Sequence, residues 1–264
     1  MSPPLKSDAQ AVAATSPDLD THRSPEKVAR NPVVVVPTYN ERQNISALIR
    51  AIHDSVPELS ILVVDDNSPD GTADEVLELK RALGGKISLF SRAGKDGLAR
   101  AYAAGFKEAL RCGYDVIIQM DADLSHDPAY LPEFLRQIDS YDLVLGSRYL
   151  RGVNVVNWDF KRLLLSKMAS LYVRWVTGLP FSDLTGGFKC WRRTALQKID
   201  LDRIFSGGYL FQIEMTWKAF HKGCRIGETP IIFYEREIGR SKIDAKIIIE
   251  AIWGVMSLPF RSKK

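Results

Sequence analysis

Two carboxylates stand one residue apart in Gln119-Met120-Asp121-Ala122-Asp123-Leu124-Ser125-His126-Asp127, directly after the apolar run "YDVII". If that run continues as a strand, residues i and i+2 face the same side. Asp121 and Asp123 are then held together against their mutual repulsion and against the cost of leaving water. Three chemistries fit. The pair can serve as turn or cap residues. It can be the nucleophile motif of an aspartyl phosphatase, which "DADLS" approximates, although that class places the motif on its first strand and here it follows about the fourth. Or it can hold Mg²⁺ or Mn²⁺ against a nucleotide diphosphate, because such ions take one or two carboxylates together with phosphate oxygens.

The elements that position this pair are legible from periodicity. "NPVVVVPTYNE" reads as a strand buried on both faces and closed by Pro37. Asn40 with Gln43 forms a capping-box pattern, and Ile45, Leu48, Ile49 and Ile52 then recur at helical spacing. "LSILVVDDNSPDGT" predicts a second buried strand, Thr72 with Glu75 opens a helix carrying Val76, Leu79 and Leu83, and "KISLFSR" gives a third strand. A helix over "GLARAYAAGFKEALRCG" leads to the strand that delivers Asp121; "LPEFLRQI" is helical and "YDLVLGSRY" a strand. Strand and helix alternate from residue 33 to about 149, which predicts a doubly wound, mostly parallel sheet with helices on both faces. Ligands bind beyond the carboxyl ends of such strands, where Tyr39 to Glu41, Asp65-Asp66, Asp121 to Ser125 and Arg148 all fall.

Composition narrows the classes. The 264 residues, 45% hydrophobic and 26% charged, suit one large domain with appendages. Residues 1–31 hold many Pro, Ser and Asp and no aromatic, and are expected to be a disordered arm without the apolar core of a signal peptide. No stretch approaches about 18 uninterrupted apolar residues, so no transmembrane helix is expected. Cys112, Cys190 and Cys224 fit no zinc spacing and read as reduced thiols. The net charge of +4 is too small to imply a nucleic-acid partner. The pair Asp65-Asp66 is reminiscent of a phospho-acceptor receiver, but the chain runs well beyond one such domain. No glycine-rich dinucleotide or P-loop motif follows the first strand.

Together, "VVVVPTYNE", "VVDDNSPDGT", "MDADLSHDP", "GSRY", "SDLTGGFKCWRR" and "FYEREIGRSK" resemble the catalytic subunit of the dolichol-phosphate mannosyltransferases, family 2 glycosyltransferases of the GT-A fold, in its soluble form. The resemblance runs from about Val33 to Lys242 and divides the chain into the arm 1–31, a GT-A catalytic domain 32–246 and an apolar C-terminal segment 247–264. It implies an inverting, metal-dependent transfer of mannose from GDP-mannose to dolichyl phosphate, by a peripheral enzyme on the cytosolic face of the endoplasmic reticulum membrane held there by small membrane-anchoring subunits. It places Pro37, Tyr39, Glu41, Val64 and Asp66 around the nucleoside. Asp121 and Asp123 would hold the metal beside the Ala122 backbone, with Ser125 where some relatives carry a longer Gln that joins the metal shell. Arg236 and Lys242 would close on the diphosphate around Gly239, and Arg148, Arg162 and Ser166 would grip the lipid phosphate.

The residues themselves suit that acceptor. A phosphate monoester with a second pKa of about 6 is largely dianionic at neutral pH, a nucleophile that needs cations more than a base. Between 148 and 178 stand Arg148, Arg151, Lys161, Arg162, Lys167 and Arg174 against one acid, Asp159. Arg162 and Ser166 share a helical face. Leu164, Met168, Leu171 and Trp175 form an apolar stripe that is either core or a face that touches lipid. Asp183 is open between a catalytic acid and a turn cap, and His126 is expected to be structural. The apolar run 247–260, with Glu250 as its one charge, is too short for a hydrocarbon layer about 30 Å thick. It can fold back on the core, lie in the membrane interface or pack on a partner's helix. The rivals to the main reading are a polyprenol-phosphate glucosyltransferase using UDP-glucose and a non-catalytic membrane-docking module.

Overall fold

The computed structural model describes residues 30–84, 86–150, 152–158, 160–234 and 252–258. The chain runs β1 (Pro32–Thr38), α1 (Arg42–Ser55), β2 (Ser60–Asp65), α2 (Thr72–Leu83), β3 (Ile87–Ser91), α3 (Leu98–Arg111), β4 (Val116–Gln119), α4 (Leu131–Gln137), β5 (Leu143–Ser147), β6 (Val155–Val156), α5 (Phe160–Thr177), β7 (Lys189–Arg192), α6 (Arg193–Gln197), α7 (Gly208–His221), β8 (Ile226–Pro230) and β9 (Phe233–Tyr234). A seven-stranded sheet has the order β3-β2-β1-β4-β7-β5-β8, and β6 pairs with β9 beside it. Only β7 runs against its neighbours β4 and β5 in the large sheet. The sheet is the mostly parallel, doubly wound one expected.

The valine run shows why β1 lies at its centre. Val33 and Val35 join the core formed with Tyr102, Phe106, Trp191 and Phe211, whereas Val34 and Val36 join the opposite core with Ile45, Leu48, Ile49, Ile52 and Phe134. Both faces are dry, so alternation cannot be seen in the sequence. Helix α3 rides unusually close to the sheet at Gly105, where an added Cβ would lie 2.5 Å from Val35 Cγ1 and 2.8 Å from Val64 Cγ2.

Local capping differs from expectation. The residue preceding α1 is Glu41, with no side-chain cap; Asn40 adopts a left-handed φ of 60° and its N–H donates to Ser68 Oγ at 3.0 Å. Thr72 is the first residue of α2, and its Oγ accepts from Glu41 N–H at 3.0 Å while its own N–H donates to Asp70 Oδ1. Bonds between the turns after β1 and β2 thus stand in place of the capping box at Asn40, and Thr72 keeps a local bond to Asp70 besides. The first strand also passes through Pro37 to Thr38.

The stripe on α5 is not core. Leu164, Met168, Leu171 and Trp175 are 50%, 55%, 57% and 83% exposed, and Phe160 is exposed beside them. Residues 252–258 form a helix that seats Val255 and Leu258 in the core while Ile252, Trp253 and Met256 face outward. Tyr172 of α5 donates its hydroxyl to Ile252 O at 3.0 Å, so the two outward apolar faces adjoin. Among the described residues no helix is long and apolar enough to cross a membrane. The remainder of 247–264 and the arm before residue 30 lie outside the described residues.

Candidate active site

A cavity of about 220 Å³ opens at the carboxyl ends of β1, β2 and β4, lined by Pro37, Thr38, Tyr39, Glu41, Asp66, Lys95, Gly97, Leu98, Ala101, Asp121, Ala122 and Asp123. Of the residues expected around the nucleoside, Pro37, Tyr39, Glu41 and Asp66 are there. Val64 is not: its side chain is fully buried under α3. Asp66 is held by Arg92 Nη1 at 2.5 Å, and Lys95 Nζ stands 4.1 Å from the Tyr39 ring centroid. Asp65 organises the turn, accepting from Thr38 Oγ1, Ser68 N–H and Ser68 Oγ. A larger cavity, about 430 Å³, lies beyond Gly97 between α3 and residues 201–207. Its cations Arg92, Arg100 and Lys107 are each in an ion pair, with Asp66, Asp96 and Asp202, whereas the smaller cavity gathers the acidic strand ends.

Asp121 and Asp123 do converge on one cavity. Tyr102 donates to Asp121 Oδ1 at 2.6 Å, and the Asp121 N–H donates to His126 Nδ1 at 3.1 Å. His126 is buried and stacked on Phe188 at 4.9 Å, the structural imidazole expected. Ser125 donates its hydroxyl to Asp123 Oδ1 at 2.5 Å and its N–H to the same oxygen; it is buried behind the cavity lining and braces Asp123. Burial, then the charges of Asp121 and Asp123, hold the Tyr102 hydroxyl protonated, its pKa well above the usual value. Among the described residues no group of three or more His, Cys, Asp or Glu could cage a metal. Two carboxylates on an open cleft nevertheless suit Mg²⁺ or Mn²⁺, which complete their shells with phosphate and water oxygens.

The basic side is built on Trp158. The Arg148 and Arg162 guanidinium carbons lie 5.5 and 4.4 Å from its ring centroid. Ser166 accepts from the Tyr149 hydroxyl at 2.6 Å. Asp183 accepts from Arg148 Nε at 2.6 Å and Nη2 at 2.8 Å and from the N–H groups of Arg148, Thr185 and Gly186. Both its oxygens are engaged, so Asp183 holds Arg148 and the turn. Phe233 joins the two sides: its ring meets Trp158 at 5.5 Å and His126 at 5.6 Å, and the neighbouring Tyr234 N–H donates to Ser125 O at 3.3 Å. Arg236 and Lys242 lie outside the described residues.

Behind the carboxylates is a buried polar layer. Lys189 Nζ donates to Gln212 O at 2.6 Å and Thr216 Oγ1 at 2.9 Å, and Gln119 Nε2 donates to Gln212 Oε1 at 2.7 Å. Burial lowers the Lys189 pKa to about 7, against the opposing pull of Asp183. Sequence reasoning passed over Tyr102, Arg92, Lys95, Trp158 and Phe233. The strand-end rule applied to β3 would have found Arg92 and Lys95 in "SRAGKDG".

This mostly parallel sheet with helices around it is that of the GT-A glycosyltransferases. The chain belongs to glycosyl transferase family 2, whose model matches residues 33–200. Polyprenol monophosphomannose synthase of Mycolicibacterium smegmatis is 44% identical over 232 residues, 88% of this chain and 88% of that protein. Undecaprenyl-phosphate mannosyltransferase of Micrococcus luteus is 43% identical over 228 residues, 84% of this chain and 93% of that one. Among solved structures, glucosyl-3-phosphoglycerate synthase from Mycobacterium tuberculosis with Mn²⁺, UDP and phosphoglyceric acid superposes with a TM-score of 0.64 at 17% identity, covering 88% and 78% of the two chains, a likeness of fold.

Proposed function

We propose that this protein transfers mannose from GDP-mannose to the phosphate of a polyprenyl lipid at a membrane surface, with inversion at the anomeric carbon. The observation that carries the reading is α5. Its Arg162 and Ser166 join the basic cluster around Trp158, while Leu164, Met168, Leu171 and Trp175 of the same helix stand out in solvent with no acidic residue among them. An acceptor with a charged head and a hydrocarbon tail needs both. The identities of the two mannosyltransferase relatives support the sugar and the lipid class. Dolichyl phosphate is the acceptor implied by the sequence motifs and undecaprenyl phosphate the one in a relative's name; both share this chemistry.

In this reading the acidic cavity takes the nucleotide, with Tyr39 and Glu41 against the nucleoside. Asp121 and Asp123 would hold Mg²⁺ or Mn²⁺, which would supply positive charge to the departing diphosphate. Arg162 and Arg148 draw the lipid phosphate in beside a second anion, and Arg236 and Lys242 are assigned to the diphosphate. A phosphate oxygen forms the new bond to the anomeric carbon as the bond to GDP breaks. The dianion needs no base, in keeping with the engaged state of Asp183.

We assign the outward face of α5 and residues 252–258 to the lipid surface itself, at the cytosolic face of the membrane that holds the acceptor, the endoplasmic reticulum if that acceptor is dolichyl phosphate. Small anchoring subunits are the competing occupants. The test offers GDP-mannose, UDP-glucose and other nucleotide sugars with dolichyl or undecaprenyl phosphate in vesicles, with Mg²⁺, Mn²⁺ or EDTA. Lipid-linked mannose formed from GDP-mannose only with metal is the expected result. Glucose transfer from UDP-glucose, or no transfer, overturns it.

A further inference from the structure

We infer that Tyr102 is a positioning residue for the donor-side metal site, fixing the orientation of the Asp121 carboxylate through its hydroxyl. The inference rests on the metal reading of Asp121 and Asp123.

Asp121 is held at its backbone and at one oxygen. Its N–H is tied to His126 and its Oδ1 accepts from Tyr102 at 2.6 Å, while Gly187, where an added Cβ would lie 3.3 Å from Oδ2, leaves that oxygen room. Turning the carboxylate about its Cβ–Cγ bond would break the Tyr102 bond and drive an oxygen elsewhere. The donor cannot follow, because the Tyr102 ring is fully buried and stacked on Phe211 of α7 at 6.0 Å and 6° and on Phe106 at 5.8 Å and 30°. A rigid neutral donor thus marks one oxygen of Asp121 and leaves the other for a different partner. A tyrosine whose role was to fill space between α3 and α7 would do as well without its hydroxyl. Yet that hydroxyl is aimed at the one carboxylate of β4's edge that lines the nucleotide cavity together with Asp123. Partners that orient metal-binding side chains typically cost about 10–100-fold in metal affinity when removed.

The test titrates Mn²⁺ into the full chain with GDP, followed by electron paramagnetic resonance, for wild type, Tyr102→Phe and Asp121→Asn. The expected result is an increase of about tenfold or more in the Mn²⁺ Kd of Y102F, with transfer recovered by added Mn²⁺ and the thermal midpoint of the metal-free protein little changed. Wild-type affinity in Y102F alongside lost affinity in D121N overturns the inference and leaves the metal site standing. Wild-type affinity in both overturns the metal site and the inference together. Should Y102F fail to fold, Phe211→Leu, which keeps the hydroxyl and loosens the ring, decides by the same titration: weaker Mn²⁺ binding supports the inference and unchanged binding overturns it.

Discussion

Arg148 and Asp183 close on each other through two hydrogen bonds, of 2.6 and 2.8 Å, with both side chains removed from water. Burial alone would raise the Asp183 carboxyl, but the charge and hydrogen bonds of Arg148 outweigh it and hold the pKa below the ordinary value. Asp183→Asn strands a buried guanidinium, so unfolding free energy at pH 7 should drop by about 3–5 kcal/mol. A depressed carboxylate stabilises above its unfolded pKa of about 3.9 and loses that contribution as pH falls through the folded value. The gap between wild type and D183N should therefore be steady from pH 5 to 7 and shrink below about pH 4. Urea unfolding at several pH values measures it, and a gap that ignores acid would refute the pairing.

Lys189 destabilises in its charged form where Asp183 stabilises, although both contributions rise with pH. With a folded pKa of about 7, it destabilises while charged in both states, and between that pH and about 10.4 only the unfolded chain keeps its proton. Stability contributed by this group rises with pH across that window. Lys189→Met should compare most favourably with wild type at pH 6 and less so at pH 9, in paired denaturation curves. An equal difference at both would show that the amine is not buried as described.

Asp123→Asn keeps an oxygen for the Ser125 N–H and hydroxyl, so its fold should survive. Transfer should fall by about 100-fold or more. Wild-type turnover at saturating Mn²⁺ would remove Asp123 from the metal site.

Arg162→Ala removes one charged partner from the Trp158 cluster. The KM for polyprenyl phosphate should rise about tenfold or more, the worth of one charge-assisted hydrogen bond, while calorimetric GDP affinity stays put. Collapse of GDP affinity instead would place Arg162 on the donor side.

Trp175 and Trp253 are 83% and 67% exposed, so their replacement by Glu should leave stability intact. Binding to vesicles containing anionic lipid should weaken by about tenfold or more, the loss of apolar burial and the gain of repulsion together. Unchanged binding by the double variant would remove that face from the lipid surface.

The sheet was readable because its strands are short apolar runs followed by polar clusters, and β1, β2 and β4 turned out to carry the cavity at those clusters. What sequence could not show was pairing across distance. Asn40 and Thr72 look like local caps, yet each bonds to the turn of the neighbouring strand, because the ends of β1 and β2 are only one strand spacing apart. The pairing of Asp183 with Arg148, 35 residues away in sequence, leaves no local signal to read. The α5 stripe has the spacing of a core face, and only its exposure distinguishes the two. Tyr102 was hidden for the converse reason: one hydroxyl among the apolar residues of α3 reads as packing.

Gly105 does not line the cavity, yet its missing side chain lets α3 sit down on the sheet beside it. It lies three residues beyond Tyr102 on the helix whose first turns supply Leu98 and Ala101 to the wall. A single methyl there would meet Val35 and Val64 at impossible distances and act as a shim, lifting α3 off the sheet. The lift would travel to the rim as a wider gap between Ala101 and Asp121, and to Tyr102 as a stretched bond. The fit of the acidic cleft thus depends on the hydrocarbon contact beneath it, where a change in volume acts as a change in alignment.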